Sequence, residues 1–148
     1  MESTPLTAEM VSTIAEEHET LANRYGDIFK ALEEGPGGIH AASKLLDELV
    51  EQVAAHFSHE EVGGYYSHVV EAAPWRSRVV DELKDQHAEL LNTIRKIAGD
   101  ACLASQSRLP CEMVWKEFAE FLHRCAEHEA RENRLVQEVY VLDIEASD

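Results

Sequence analysis

Basic residues, cysteines and long apolar runs are all scarce in this 148-residue chain, and each scarcity excludes a class of function. Lys and Arg number 13 against 29 Asp and Glu, a formal net charge of −16, so there is no basic face for nucleic acid or for an anionic membrane surface. Such a field attracts small cations instead. No apolar stretch approaches the roughly 20 residues that a membrane-spanning helix needs. The opening Met1-Glu2-Ser3-Thr4-Pro5 lacks the basic-then-apolar layout of a secretory signal, so the expected location is cytoplasmic. Cys102, Cys111 and Cys125 cannot all pair within the chain, which argues against a disulfide framework and suits a reducing compartment.

Helix-breaking punctuation is sparse too. It falls at Gly35-Pro36-Gly37-Gly38, at Gly63-Gly64, at Pro74 and in the stretch from Ser105 to Pro110, and it leaves four long sections in which apolar residues recur at helical spacing. The expected fold is all-α, an up-and-down antiparallel four-helix bundle. One domain over residues 1–148 is expected, with helices at about 7–34, 39–62, 75–98 and 110–142. A short polar-aromatic piece leads from Gly64 to Pro74.

The apolar seams hold unexpected residues. In the first section Val11, Ile14, His18, Leu21, Tyr25, Ile28 and Leu32 alternate in threes and fours, the pattern of a bundle seam. The second carries Ala42, Leu46, Leu49, Val53, His56 and Glu60; the third carries Val80, Leu83, His87, Leu90, Ile94 and Ile97. The fourth carries Val114, Phe118, Phe121, Cys125, His128, Glu132, Leu135 and Val139. Every seam holds a histidine, and two hold a glutamate, where Leu would be expected. A single inward histidine is usually a core residue with a satisfied partner. Four of them with two carboxylates are another matter, because each uncompensated buried carboxylate costs several kcal/mol, a large part of a net stability of about 5–15 kcal/mol. A metal ion satisfies such a set most simply.

A weak internal repeat agrees. His56 follows His18 by 38 residues and His128 follows His87 by 41, and in each half the second histidine has Glu at i+4, on the same helix face. Counted from the Gly35–Gly38 turn, His18 and His56 lie nearly level at about 1.5 Å rise per residue.

These residues stand in four strings: Glu16-Glu17-His18, His56-Phe57-Ser58-His59-Glu60-Glu61, Gln86-His87 and His128-Glu129-Ala130-Arg131-Glu132-Asn133. With them the chain resembles the hemerythrin-like, or His-His-Glu cation-binding, family over about residues 8–141. The resemblance implies an up-and-down four-helix bundle around two Fe ions, a non-haem di-iron centre with an oxo or hydroxo bridge as a further element. It makes His18 and His56 ligands of one iron, His87 and His128 ligands of the other, and Glu60 and Glu132 the bridging carboxylates. Oxygen-carrying members have a second histidine one turn after the third-helix ligand, where this chain has Leu91, and His-x-x-x-x-Asp on the last helix, where it has His128-x-x-x-Glu132. Four His and two Glu are a more symmetric set, like that of the family's iron–sulfur-repair and iron-sensing branches. Each iron then keeps an open place, which favours turnover or rapid oxidation over reversible storage of oxygen.

Other candidates carry less. His123 and His128 are five apart, a hemerythrin spacing, but His123 lies off the seam. His59 and Glu61 are placed either to orient the second-helix pair from outside or to face solvent. Cys125 and Tyr25 read as packing, Tyr65 and Tyr66 as packing or an entrance lining, and His40 and His68 lie near helix ends. The ferritin-like pattern needs two Glu-x-x-His motifs, and only Glu120-Phe121-Leu122-His123 is present. Imidazole with carboxylate suits Fe, Mn or Zn, and the choice of iron rests on the resemblance.

Three functional readings follow. The first is a di-iron protein that binds or senses oxygen or nitric oxide, or handles iron. The second is a di-iron enzyme that consumes peroxide, oxygen or nitric oxide, and the third is a metal-free helical scaffold. The expected partners are those small molecules, with no nucleic acid, no membrane, and a protein partner unspecified.

Overall fold

The computed structural model describes residues 8–146, and within them every regular element is helical. Four long helices are α1 (Ala8–Glu33), α2 (Ile39–Glu61), α4 (Ser77–Ser105) and α5 (Cys111–Ala146). A short α3 (Tyr65–Ala72) lies between α2 and α4, and 3₁₀ turns occupy Gly35–Gly37 and Pro74–Arg76. Helix α1 packs on α2 and α5, and α4 packs on the same two, so the long helices enclose one interior. Helix α3 closes part of one end against α2, α4 and α5. Among the described residues no helix is long and apolar enough to cross a membrane.

Three boundaries differ from the expected ones. The third long helix runs to Ser105 rather than stopping near residue 98, because Ala98, Ala101 and Ala104 continue the buried face at helical spacing. Gly99 sits inside it without breaking it, its small propensity penalty outweighed by that packing. The last helix extends to Ala146, and the polar-aromatic piece is itself helical. Gly64, at φ +94°, supplies a left-handed conformation that reorients the chain and starts α3, whose Tyr65, Tyr66 and Val69 are buried. The expected start at Thr7 lies outside the described residues.

The apolar interior is in two parts. One cluster, running from Leu21 and Ile28 through Leu46, Val53, Leu90 and Ile94 to Phe118 and Phe121, fills the half toward the Gly35–Gly38 turn. The other gathers Ile14, Tyr65, Tyr66, Val69, Val80, Leu83, Leu135 and Val139. In sequence, His18 lies between Ile14 and Leu21, His87 between Leu83 and Leu90, and His128 between Phe121 and Leu135. A polar layer thus separates two hydrophobic halves. Cross-helix ion pairs on the surface, Arg76 to Glu138 at 3.0 Å and Lys96 to Glu117 at 3.0 Å, add little beside this burial.

Gly38 and Gly26 make opposite demands. A Cβ on Gly38 would lie 2.0 Å from the carbonyl oxygen of Ala31, so the α1–α2 turn closes only with hydrogen at that position. A Cβ on Gly26 would meet nothing within 4 Å. Gly38→Ala should therefore lower stability by about 1–3 kcal/mol through forced overpacking, whereas Gly26→Ala should raise it by about 0.5–1 kcal/mol through better helix propensity. Urea denaturation of the two variants checks this.

Candidate metal centre

All four long helices contribute to the polar layer: His18 from α1, His56 and Glu60 from α2, His87 from α4, His128 and Glu132 from α5. The i,i+4 spacing puts each histidine–glutamate pair on one face, with His56 Nε2 3.2 Å from Glu60 Oε1 and His128 Nε2 3.5 Å from Glu132 Oε2. His87 Nε2 is 3.2 Å from Glu60 Oε1, and His18 Nε2 is 3.4 Å from Glu132 Oε1. Both carboxylates are fully buried. Two donor sets have the spacing to hold a metal ion: Glu60, His87, His128 and Glu132, and His18, His56 and Glu60.

The opposite nitrogen of every ring faces outward to an acceptor. His56 Nδ1 is 2.8 Å from Glu17 Oε1, His87 Nδ1 is 2.9 Å from Glu61 Oε2, and His128 Nδ1 is 2.7 Å from Gln86 Oε1. His18 Nδ1 faces Glu129 Oε1 at 3.4 Å. Donating an N–H outward fixes the tautomer and leaves the Nε2 lone pair directed inward, the arrangement that a metal-ligating imidazole requires. His87 is further clamped between the stacked rings of Phe57, 3.9 Å away, and Tyr66, 5.5 Å away.

The inner face is left unsatisfied by protein groups. Glu60 Oε1 and Oε2, Glu132 Oε1 and His128 Nε2 are buried with no hydrogen-bond partner. Uncompensated buried groups of this kind are costly, and a divalent cation among them answers both the charge and the open lone pairs. Burial, then the neighbouring Glu132, pushes the Glu60 carboxyl up to about 12. Burial opposes charge on Glu132 as well, but contacts with Glu60, His128, His18 and the Tyr66 phenol outweigh it and hold that carboxyl well below the usual range. Without metal, burial and mutual repulsion therefore oppose ionisation of both carboxyls together. Burial lowers His87 to about 4 and lowers His56, keeping both imidazoles neutral and available as donors. His18 is raised, because Glu132, Glu129 and Glu17 outweigh its burial.

Several residues outside the expected set belong to this neighbourhood. Glu61 backs His87, and Glu17 joins His56 to the exposed His59, whose Nδ1 is 2.8 Å from Glu17 Oε2. Sequence reasoning missed Glu17, Gln86 and Glu129 in this role, although Glu17 and Gln86 stand at the same place in the two halves, each just before a seam histidine. Tyr66 is wholly buried rather than lining an entrance, and its hydroxyl donates to Glu132 Oε2 at 2.6 Å and lies 3.1 Å from His87 Nε2. His123 is exposed and pairs with Glu127. Cys125 is half-buried near Tyr25, and burial pushes its thiol up to about 12. Leu91 is half-buried against the larger apolar cluster.

The carboxyl pair sets a pH dependence for the metal-free protein. Glu60 has a folded value above its unfolded one, so it contributes stability below about pH 4.5 that is lost as pH rises toward 12. The raised His18 acts in the same direction. His87 acts oppositely, but only between about 4 and 6.5, where the unfolded chain binds more protons. Above pH 6.5 the metal-free protein should lose stability as pH rises, while the metal-loaded protein, which needs both carboxylates ionised, should not. Denaturation at pH 7 and 9, with and without chelator, checks the sign.

Among family models, the hemerythrin HHE cation-binding domain matches the chain over residues 9–140. Comparisons with curated proteins and with solved structures gave no significant match. That one match covers nearly the whole chain and all four helices of the polar layer, and the chain belongs to the hemerythrin HHE cation-binding domain family.

Proposed function

We propose that the chain is a single-domain, non-haem di-iron protein that binds or senses a small molecule such as oxygen or nitric oxide, or handles iron. In this reading His18 and His56 would hold one iron, His87 and His128 would hold the other, and Glu60 and Glu132 would be shared by both. The long helices alternate up and down, because the short turns at 34–38 and 106–110 suit only antiparallel neighbours. The observation that carries the reading is the common orientation of the four imidazoles, Nδ1 to an outer acceptor and Nε2 toward two buried carboxylates.

A resident iron pair supplies redox chemistry toward oxygen, nitric oxide or peroxide. The chain's own residues set the conditions for it. Phe57 and Tyr66 pack against His87, and both keep water from its ring. A groove of about 550 Å³ between α1 and α5, walled by Tyr25, Phe29, Leu122 and Cys125, reaches Glu129 beside His18 and suits an uncharged visitor.

Tyr66 favours a second reading, a di-iron enzyme consuming peroxide, oxygen or nitric oxide. Burial pushes its phenol up, so it stays protonated and holds a hydrogen at Oη beside Glu132 and His87. Such a hydroxyl is a fixed hydrogen-bond donor beside the site, able to orient a bound oxygen species.

Metal analysis and stopped-flow spectroscopy test both readings. The protein should carry two irons, and saturating metal at 100 times Kd should add about 2.7 kcal/mol of stability. Glu60→Gln or Glu132→Gln should lose metal, whereas Glu61→Gln, which keeps an acceptor for His87 Nδ1, should lose less. The reduced protein should oxidise quickly in air, Leu91→His should slow this, and Tyr66→Phe should slow turnover at unchanged iron content if the enzyme reading is right. A long-lived oxygen adduct, unaffected by Leu91→His, would favour a carrier instead.

A further inference from the structure

The two donor sets are unequal. On one side His87, His128, Glu60 and Glu132 are all buried and already gathered within reach of one ion; on the other only His18, His56 and Glu60 are so gathered, with Glu132 Oε1 lying 3.4 Å from His18 Nε2. His18 is the most exposed of the four histidine side chains, at 12%. Its outer acceptor is also the most distant, at 3.4 Å against 2.7–2.9 Å for the other three, and that acceptor, Glu129, is 43% exposed. His87 is stacked between two aromatic rings, whereas His18 meets the His56 ring edge-on at 4.8 Å. Helix α1, which carries His18, packs on α5 less extensively than α4 does.

A donor set that is already assembled, desolvated and held in place binds a cation with less reorganisation than one whose members must still be ordered. The first ion also neutralises part of the charge on Glu60, the donor common to both sets, and so weakens the attraction for the second. We propose that the two positions fill in order. The first ion would occupy the His87–His128 side, whose donors are already assembled; the second would occupy the His18–His56 side at higher free metal and fix His18 in doing so. This inference rests on the two-metal reading above and adds a consequence to it: the supply of metal is converted into the order of α1. In the one-metal chain α1 is held by packing and by Glu17, which bonds His56 and His59 of α2, and in the two-metal chain His18 adds a further tie.

Anaerobic titration of the metal-free protein with Co²⁺, followed by its visible spectrum and by hydrogen exchange, tests the order. The native chain should bind two equivalents in two steps whose Kd values differ by about tenfold or more, with amides of residues 14–25 gaining protection only in the second. His18→Gln should leave the first step unchanged and weaken the second, and His87→Gln should weaken the first. His18 is partly exposed and lies outside the His87–His128 side, so its variant decides the matter even if His87→Gln does not fold. Two equivalents taken up in one unresolved step, or loss of the first step in His18→Gln, overturns the order and leaves the two-metal reading standing. No Co²⁺ uptake by the native chain overturns both.

Discussion

The fold is organised around a charge problem. Two carboxylates and four imidazoles occupy the middle of an otherwise apolar interior, where unpaired polar groups are expensive. Glu60 and Glu132 face each other and cannot both ionise cheaply in that environment, so one is pushed up and the other down. The two hydrophobic clusters on either side hold the helices together and thereby hold the polar layer in register. The scaffold supplies the geometry, and the layer determines what the geometry is for.

The outer contacts, three hydrogen bonds and the longer His18–Glu129 pair, complete the layer. Each inward imidazole is oriented by an acceptor from another helix: Glu17 of α1 for His56, Glu61 of α2 for His87, Gln86 of α4 for His128 and Glu129 of α5 for His18. Every long helix therefore gives one histidine and one acceptor. Three of the acceptors are acidic and one is an amide, so the imidazoles differ in donor strength as well as in how firmly they are held. An ordinary core histidine needs one partner on one nitrogen; four rings sharing one orientation point to a common inner guest.

Much of this arrangement was legible in the sequence, because the six inward residues occupy seam positions whose burial follows from helical periodicity alone. Ile14, Leu21 and Ile28 around His18, or Leu83 and Leu90 around His87, leave no other face for those histidines. Glu17, Gln86 and Glu129 were not legible as partners, since they flank the seams and their role depends on how neighbouring helices approach. The doubled pattern Glu17-His18 and Gln86-His87 was the available signal. The packing of Tyr66 was legible, but its hydrogen bond to Glu132 was not, for a related reason: the turn at Gly64 swings α3 back over the bundle end, and no periodic pattern reports the direction of a turn.

The central claim is that this polar layer is a two-metal site bridged by Glu60 and Glu132. Diffraction from iron-loaded crystals, collected on either side of the iron absorption edge, measures it most directly. The account predicts two anomalous peaks per chain, one between His87 and His128 and one between His18 and His56, with a carboxylate of Glu60 between them. A single peak, or peaks at surface groups such as His59 or His123 with none in the bundle interior, would contradict it.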